Sequence, residues 1–121
     1  MRASCVLGDA IENVGVGRHF VIDRLADWGW ADSYTAALLV SELLTNAVTH
    51  VGGVVGVEVE MDAEGITVGV HDDGTELPPV TRSHHLDEHG RGIVLVNALA
   101  KTWGSREWAD HSKTVWFKLD R

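Results

Sequence analysis

Hydrophobic residues recur along the chain with two different periods, and these periods predict its helices and strands. Apolar residues at helical spacing predict helices over about residues 10–28, 32–51 and 92–102. Strict alternation of apolar and polar residues predicts half-buried strands. The predicted strands cover residues 3–7, 55–62, 65–72, 103–108 and 114–119.

The order of these elements indicates how they pack. The chain reads strand, helix, helix, two strands, a long loop over residues 73–89, helix and two strands. Runs of antiparallel strands with helices between them are typical of a two-layer α+β sandwich, in which the helices cover one face of the sheet. With 121 residues, the chain is expected to form a single domain over residues 1–121.

The second predicted helix carries a polar stripe of unusual composition. Its apolar side holds Ala36, Val40, Leu44, Ala47 and Val51. Its polar side holds Ser41, Glu42, Thr45, Asn46 and Thr49, with His50 at the edge. The stripe contains no Lys or Arg, and the oxygen ligands of Glu42 and Asn46, one turn apart, suit a hydrated magnesium ion on substrate phosphates. A solvated helix face would explain the stripe equally well.

Two further motifs carry candidate binding chemistry. Asp72 ends a buried strand and Gly74 follows it, so a carboxylate that can accept a hydrogen bond from an exocyclic amine would lie beside bare backbone. Gly90, Arg91 and Gly92 open the third predicted helix, whose N-terminal amides could bind a phosphate with help from the arginine. The simpler alternatives are a strand-to-turn exit for the first motif and a loop closure with an N-cap for the second.

Composition and charge narrow the possible functions. The net charge of −8 argues against a broad nucleic-acid surface, although backbone amides and a metal ion can still supply the positive field that a nucleotide needs. No apolar run is long enough to span a membrane, the N-terminus lacks a signal-peptide pattern, and the single cysteine, Cys5, fits a reducing compartment. We therefore expect a cytoplasmic protein with no direct nucleic-acid or membrane partner.

The three motifs, and their order along the chain, resemble those of the GHKL superfamily of ATP-binding domains. This superfamily includes gyrase-type ATPases, heat-shock chaperones, histidine kinases and anti-sigma-factor serine kinases. Residues 42–47 (ELLTNA) resemble the N box, residues 72–74 (DDG) the first glycine box and residues 90–96 (GRGIVLV) the second. The resemblance spans nearly the whole chain. It implies the Bergerat fold, with three helices on one face of a mixed, mostly antiparallel sheet.

Within that superfamily, the size of the chain and its closing KTVWF segment most resemble stand-alone anti-sigma regulatory serine/threonine kinases. The resemblance implies that ATP and Mg²⁺ are the cofactors and that Asn46 ligates the magnesium. Glu42 would orient or deprotonate the attacking hydroxyl, as positioned carboxylates do in phosphoryl transfer. The implied partners are a sigma factor and a STAS-type anti-sigma-factor antagonist that carries this hydroxyl, and a homodimer is expected.

The resemblance also implies how the nucleotide is held. Asp72 would read the adenine, with Gly74 beside the ring. The other implied contacts are Gly90, Arg91 and Gly92 over the phosphates, residues 75–89 as a lid, and Thr114, within KTVWF, as the late-strand threonine near the adenine.

Two departures from the family pattern keep other functions open. Many relatives carry Lys or Arg where Thr49 stands, and the first glycine box lacks the second glycine of fuller versions. The chain could therefore be a module in which nucleotide switches a partner surface without phosphoryl transfer, or a degenerate domain that binds no nucleotide. His84, His85 and His89 could bind a transition metal, but no Cys or carboxylate pattern completes such a site, which favours solvated loop histidines.

Overall fold

The computed structural model describes residues 1–50, 53–73, 95–110 and 112–121, and its elements follow the predicted order. They are β1 (Arg2–Leu7), α1 (Asn13–Asp27), α2 (Ser33–His50), β2 (Val55–Met61), β3 (Gly65–Asp72), β4 (Thr102–Glu107) and β5 (Lys113–Asp120). Residues 95–99 are also helical. Within these ranges, no helix combines the length and the apolar character that a membrane crossing requires.

The five strands form one sheet in the order β1-β2-β3-β5-β4. The predicted α+β sandwich is confirmed, and every pairing among the described strands is antiparallel, with no parallel component of the expected mixed sheet. In the register between β3 and β5, His71 is paired with Thr114 and Asp72 with Lys113. This register decides which side chains share a face where β3 ends.

The helices pack on one side of the sheet, which we call the helix-facing face; the opposite side is the outer face. One buried core joins the helices to the sheet, and its largest fully buried side chains are Phe117, Leu25, Leu39, Leu44 and Ile66. Each such side chain contributes about 1.5–3 kcal/mol when it leaves water. Because side chains alternate along a strand, the buried positions 55, 57, 59 and 61 of β2 and 66, 68, 70 and 72 of β3 point towards the helices.

Local capping sets the ends of the helices. Asp32 caps the N-terminus of α2 by accepting hydrogen bonds from the Thr35 backbone N–H at 3.3 Å and from the Thr35 hydroxyl at 2.9 Å. α1 ends before Gly29, whose φ of 80° lets the chain leave the helix. The predicted end of the third helix at residue 102 is wrong, because Thr102 begins β4 and pairs with Lys118.

Gly17, inside α1, allows the two long helices to approach closely. A Cβ atom at this position would lie 2.6 Å from Cδ1 of Leu44 and 3.0 Å from Cδ1 of Leu7. A larger residue would therefore require the Leu44 and Leu7 side chains, or α1 itself, to shift.

Candidate functional site

The polar stripe on α2 is half-buried along most of its length. Glu42, Thr45 and Asn46 have intermediate exposure, whereas Thr49 near the end of the helix is exposed. An ordinary solvated helix face leaves its polar side chains in water. The part of the stripe that contains Glu42 and Asn46 is therefore partly covered by protein.

The hydroxyl groups of Ser41 and Thr45 both donate to backbone carbonyl oxygens of α2 itself. Ser41 donates to the Ala37 carbonyl oxygen at 2.7 Å, and Thr45 donates to the Ser41 carbonyl oxygen at 2.8 Å. Arg18 of α1 donates to the Ser41 hydroxyl at 3.2 Å. Arg18 thus brings a positive charge to a stripe that has no Lys or Arg of its own. The sequence did not predict this contact, because it depends on how α1 packs on α2.

Asn46 differs from its neighbours in the stripe. Its Nδ2 atom is buried and has no hydrogen-bond partner among the described residues. A buried polar group without a partner costs about 1–3 kcal/mol, and it often marks a place where a ligand, ion or water belongs. Because a half-turn of the amide exchanges its nitrogen and oxygen, the same position can present the carboxamide oxygen to a cation. The donor set at Asn46 therefore fits a magnesium ion on a phosphate.

A buried ion pair lies where β3 ends. The Lys113 ammonium contacts Oδ1 of Asp72 at 2.8 Å, and only 7% and 4% of the two side chains are exposed. Both groups point to the helix-facing face, since Asp72 is a buried member of the β3 alternation and Lys113 is its partner across the sheet. The carboxylate predicted to read adenine thus carries a resident cation. From the sequence alone, the strand alternation through Val115 and Phe117 could have placed Lys113 on this face. Its pairing with Asp72 could not have been predicted in this way, because Asp72 lies 41 residues earlier and the pairing depends on the register between two strands.

A polar turn leads the chain into β5 and positions Lys113. The Asp110 carboxylate accepts hydrogen bonds from the Ser112 hydroxyl and from its backbone N–H. The Ser112 hydroxyl is the main reason that the pKa of Asp110 falls below its ordinary value. The Trp108 backbone N–H closes the turn by donating to the Ser112 carbonyl oxygen at 2.8 Å.

Thr114 lies on the outer face. Its hydroxyl accepts a hydrogen bond from the Trp108 indole N–H at 3.0 Å and lies 2.9 Å from Nδ1 of His71. The Arg106 guanidinium covers the Trp108 ring at 4.1 Å from its centroid. The structure therefore does not bring Thr114 together with the Asp72 carboxylate, and the β5 residue beside that carboxylate is Lys113.

α2 packs against β3, so the helix that carries Glu42 and Asn46 and the strand that ends at Asp72 share one interface between the layers. The other predicted contacts, Gly74, Gly90, Arg91 and Gly92, lie outside the described residues, as do residues 75–89 with His84, His85 and His89. The described part of the chain contains no group of three or more His, Cys, Asp or Glu side chains that could hold a metal ion.

Comparison with known proteins identifies one family. The model of the histidine kinase-like ATPase domain matches residues 9–119, a span that includes α2, the end of β3 and the KTVWF segment. Among curated proteins, no match is found. The residues matched therefore contain every position at which the sequence and the structure locate candidate nucleotide-binding chemistry.

Proposed function

The chain belongs to the histidine kinase-like ATPase domain family, and from this premise we propose that it is an ATP- and Mg²⁺-dependent protein serine/threonine kinase. Its substrate would be a Ser or Thr hydroxyl on a small STAS-type anti-sigma-factor antagonist. We further propose that it sequesters a sigma factor and acts as a homodimer. Membership of the family supports ATP binding. The kinase activity and the partners rest on the resemblance of the N box and the KTVWF segment to the anti-sigma regulatory kinases.

The buried amide of Asn46, which has no hydrogen-bond partner among the described residues, is the observation that carries this proposal. It lies one turn after Glu42 on a half-buried stretch of α2, at the layer interface that α2 shares with β3. Phosphates with their cation would supply the partner that Asn46 lacks. A helix that served packing alone would gain stability from an apolar residue at this position.

The chain's own residues account for the transfer chemistry. The Asn46 carboxamide oxygen would hold magnesium, which when bound neutralises part of the charge on the ATP phosphates. Glu42, one turn earlier, accepts the proton of the attacking hydroxyl. The bond from that oxygen to the γ-phosphorus forms, the bond from the γ-phosphorus to the β–γ bridging oxygen breaks, and ADP leaves with the electron pair.

A second candidate function is a binding module in which nucleotide changes a partner surface without phosphoryl transfer. Thr49 favours it, because this exposed residue offers no positive charge to the phosphates at the end of the stripe. Arg18 is the cation that the structure brings to the stripe, and its hydrogen bond goes to Ser41. Such a module would bind ADP and ATP and consume neither.

Transfer of label from γ-labelled ATP to an antagonist protein tests the kinase proposal. With magnesium present, the wild-type chain should label the antagonist. Glu42→Gln should lower the rate by about 10²- to 10⁴-fold, the range for loss of a general base, and leave ADP affinity within a fewfold of wild type. Glu58→Gln, an exposed change on the outer face of β2, is the matched control and should not alter the rate.

Two results would redirect the proposal. Equal labelling by the wild type and Glu42→Gln would remove Glu42 from the chemistry. ADP binding without labelling of any cognate antagonist, together with nucleotide-dependent partner binding, would favour the second candidate. A folded chain that binds no ADP at all would be a degenerate member of the family.

A further inference from the structure

Two tryptophan rings lie on the outer face of β4 and β5, each beside a cation. The Arg106 guanidinium is 4.1 Å from the centroid of the Trp108 ring, and the Lys118 ammonium is 5.9 Å from the centroid of the Trp116 ring. Arg106, Trp108 and Lys118 are exposed, and Trp116 is partly exposed. We call these four residues the Trp–cation patch. Aromatic residues and arginine are enriched on protein surfaces that bind a partner.

Neighbouring groups hold both rings in place. A Cβ atom at Gly104 would lie 2.9 Å from Cζ2 of Trp116, so the ring lies over the bare backbone of β4. The Trp108 indole N–H donates to the Thr114 hydroxyl at 3.0 Å. Rings that are already fixed lose little conformational entropy when a partner covers them. The patch is therefore organised before binding.

The two cations of the patch have no carboxylate partner among the described residues. Four other cations each contact a carboxylate: Arg2, Arg24, Lys101 and Lys113. Along β4, and from Thr114 to Lys118 on β5, no outer-face position holds Asp or Glu. The chain as a whole has 18 Asp and Glu against 10 Lys and Arg. The patch thus stands out from an acidic molecule and is complementary in charge to an acidic partner.

The spacing of the two cations fits an extended peptide. Arg106 is paired with Thr114, and Lys118 lies four residues after Thr114 on the same strand. Four residues of a strand span about 13 Å, and Trp116 lies midway. In an extended peptide, residues i, i+2 and i+4 point to one side with the same spacing. Carboxylates at i and i+4 therefore reach the two cations while an apolar residue at i+2 contacts Trp116.

We propose that the Trp–cation patch binds an extended acidic segment of a protein partner, in which two carboxylate residues flank an apolar residue at alternate positions. The patch lies on the other side of the sheet from Asp72, so the inference goes beyond the proposed function and does not depend on nucleotide binding. A single-stranded nucleic acid fits less well, because its charge repeats at every nucleotide and a chain with a net charge of −8 repels it. The acidic segment needs only two charges, and they fall where the cations lie.

An NMR titration of the wild-type protein with a capped peptide tests the proposal. The probe is Thr-Glu-Thr-Leu-Thr-Glu-Thr, and its control is the isomer Thr-Glu-Leu-Thr-Glu-Thr-Thr, which puts the two glutamates on opposite sides of an extended chain. The probe should shift the indole N–H signals of Trp108 and Trp116 saturably, with a Kd below about 1 mM. The signal of Trp30, which donates to the Asp32 carbonyl oxygen at 2.9 Å, should stay in place. The isomer should bind at least about threefold more weakly.

A double variant isolates the contribution of the two charges. Arg106→Gln combined with Lys118→Gln should raise the Kd of the probe about tenfold, as expected for the loss of two exposed ion pairs. Both positions are exposed, so the variant should fold. Arg24→Gln is the matched control and should keep the wild-type Kd, because Arg24 also lies over an aromatic ring, that of Phe20, but already pairs with Asp27.

Three results would overturn the inference. They are the absence of a saturable shift of Trp108 and Trp116 at millimolar peptide, equal affinity for the probe and its isomer, and an unchanged Kd in the double variant. A short oligothymidine that binds the patch more tightly than the probe would assign the surface to nucleic acid instead.

Discussion

The two faces of the sheet differ most sharply where β3 meets β5. Asp72 and Lys113 point to the helices and form a buried ion pair. Their chain neighbours His71 and Thr114 point the other way and contact each other, and Thr114 also accepts a hydrogen bond from the exposed Trp108. Residues adjacent in sequence therefore lie in opposite environments. The outer-face groups hydrogen bond one another at the surface. The helix-facing side holds buried charge and the amide of Asn46, which lacks a partner within the described part of the chain.

Burial separates structural from functional polar groups in this small domain. On the outer face, water can replace a hydrogen bond that an exposed side chain loses, so polar groups there cost little free energy. On the helix-facing face, burial makes every polar group costly unless a partner compensates it. Polar groups that persist on that side, above all Asn46, are the ones for which a ligand is the simplest explanation.

Breaking the ion pair should give the largest loss of stability. Lys113→Met leaves the Asp72 charge buried without its cation, so the free energy of unfolding should fall by about 3–5 kcal/mol in urea denaturation. Lys118→Met on the outer face should stay within about 0.5 kcal/mol of wild type. The double variant with Asp72→Asn should recover part of the loss, because neither charge of the pair is then buried. If the free energy of unfolding of Lys113→Met fell by less than about 1 kcal/mol, the contrast between the two faces would be contradicted.

Removing the hydroxyl of Thr114 should have a smaller effect. Thr114→Val loses the contacts with His71 and Trp108, and because water can reach these groups, the free energy of unfolding should fall by only about 1 kcal/mol. The ADP affinity of this variant should also be measured. A loss of ADP affinity equal to that of Asp72→Asn would indicate that Thr114 contacts the adenine. A change below about threefold would agree with its position on the outer face.

Much of this contrast could be predicted from the sequence. The alternation of Val57 and Val59 with Glu58 predicted which side of β2 is buried, and helical spacing predicted the side of α2 that carries Glu42. These are local signals, because a strand or helix period is read within a few residues. The burial of the stripe is not local, since it depends on how α1 and the sheet pack around α2.

The ion pair and the position of Thr114 needed the structure. Lys113 reads as an ordinary charged residue at the start of a strand, and only the antiparallel register of β5 on β3 places it opposite Asp72. The same register turns Thr114 outwards, although family resemblance associated it with the adenine. The end of the third helix was missed for a related reason, because pairing with Lys118 draws Thr102 into β4.

Replacing Asn46 should have a small effect of the opposite sign. Asn46→Ala removes a buried group that has no partner among the described residues, so the unliganded protein should be unchanged or more stable by up to about 1 kcal/mol. Thr45→Val, which removes a satisfied hydroxyl, should instead lose about 0.5–1 kcal/mol. Thermal unfolding of both variants without nucleotide makes the comparison. A clearly destabilised Asn46→Ala would mean that the amide has a structural role.

Removing the Asp110 carboxylate from the turn before β5 should have the smallest effect on stability, and this effect should depend on pH. The Ser112 hydroxyl and backbone N–H hold the pKa of Asp110 below the ordinary value that it has in an unfolded chain. The stabilisation by the ionised group is therefore complete above that value and lost as the pH falls through the lower, folded value. The melting temperature of Asp110→Ala should lie slightly below that of wild type at pH 7, and the gap should close in acid. Asp23→Ala, on the exposed side of α1, is the control for removing a surface carboxylate.

Under the proposed function, Asn46 completes its hydrogen bonding with a nucleotide, and its side-chain NMR signal reports this directly. The chain contains three asparagines, at positions 13, 46 and 97, and no glutamine, so a ¹H–¹⁵N spectrum has few side-chain amide signals to assign. Adding ADP with magnesium should shift the Asn46 pair and leave the Asn13 pair, which already donates to the Gly8 carbonyl oxygen, in place. An Asn46 pair that does not move at saturating nucleotide would contradict the claim.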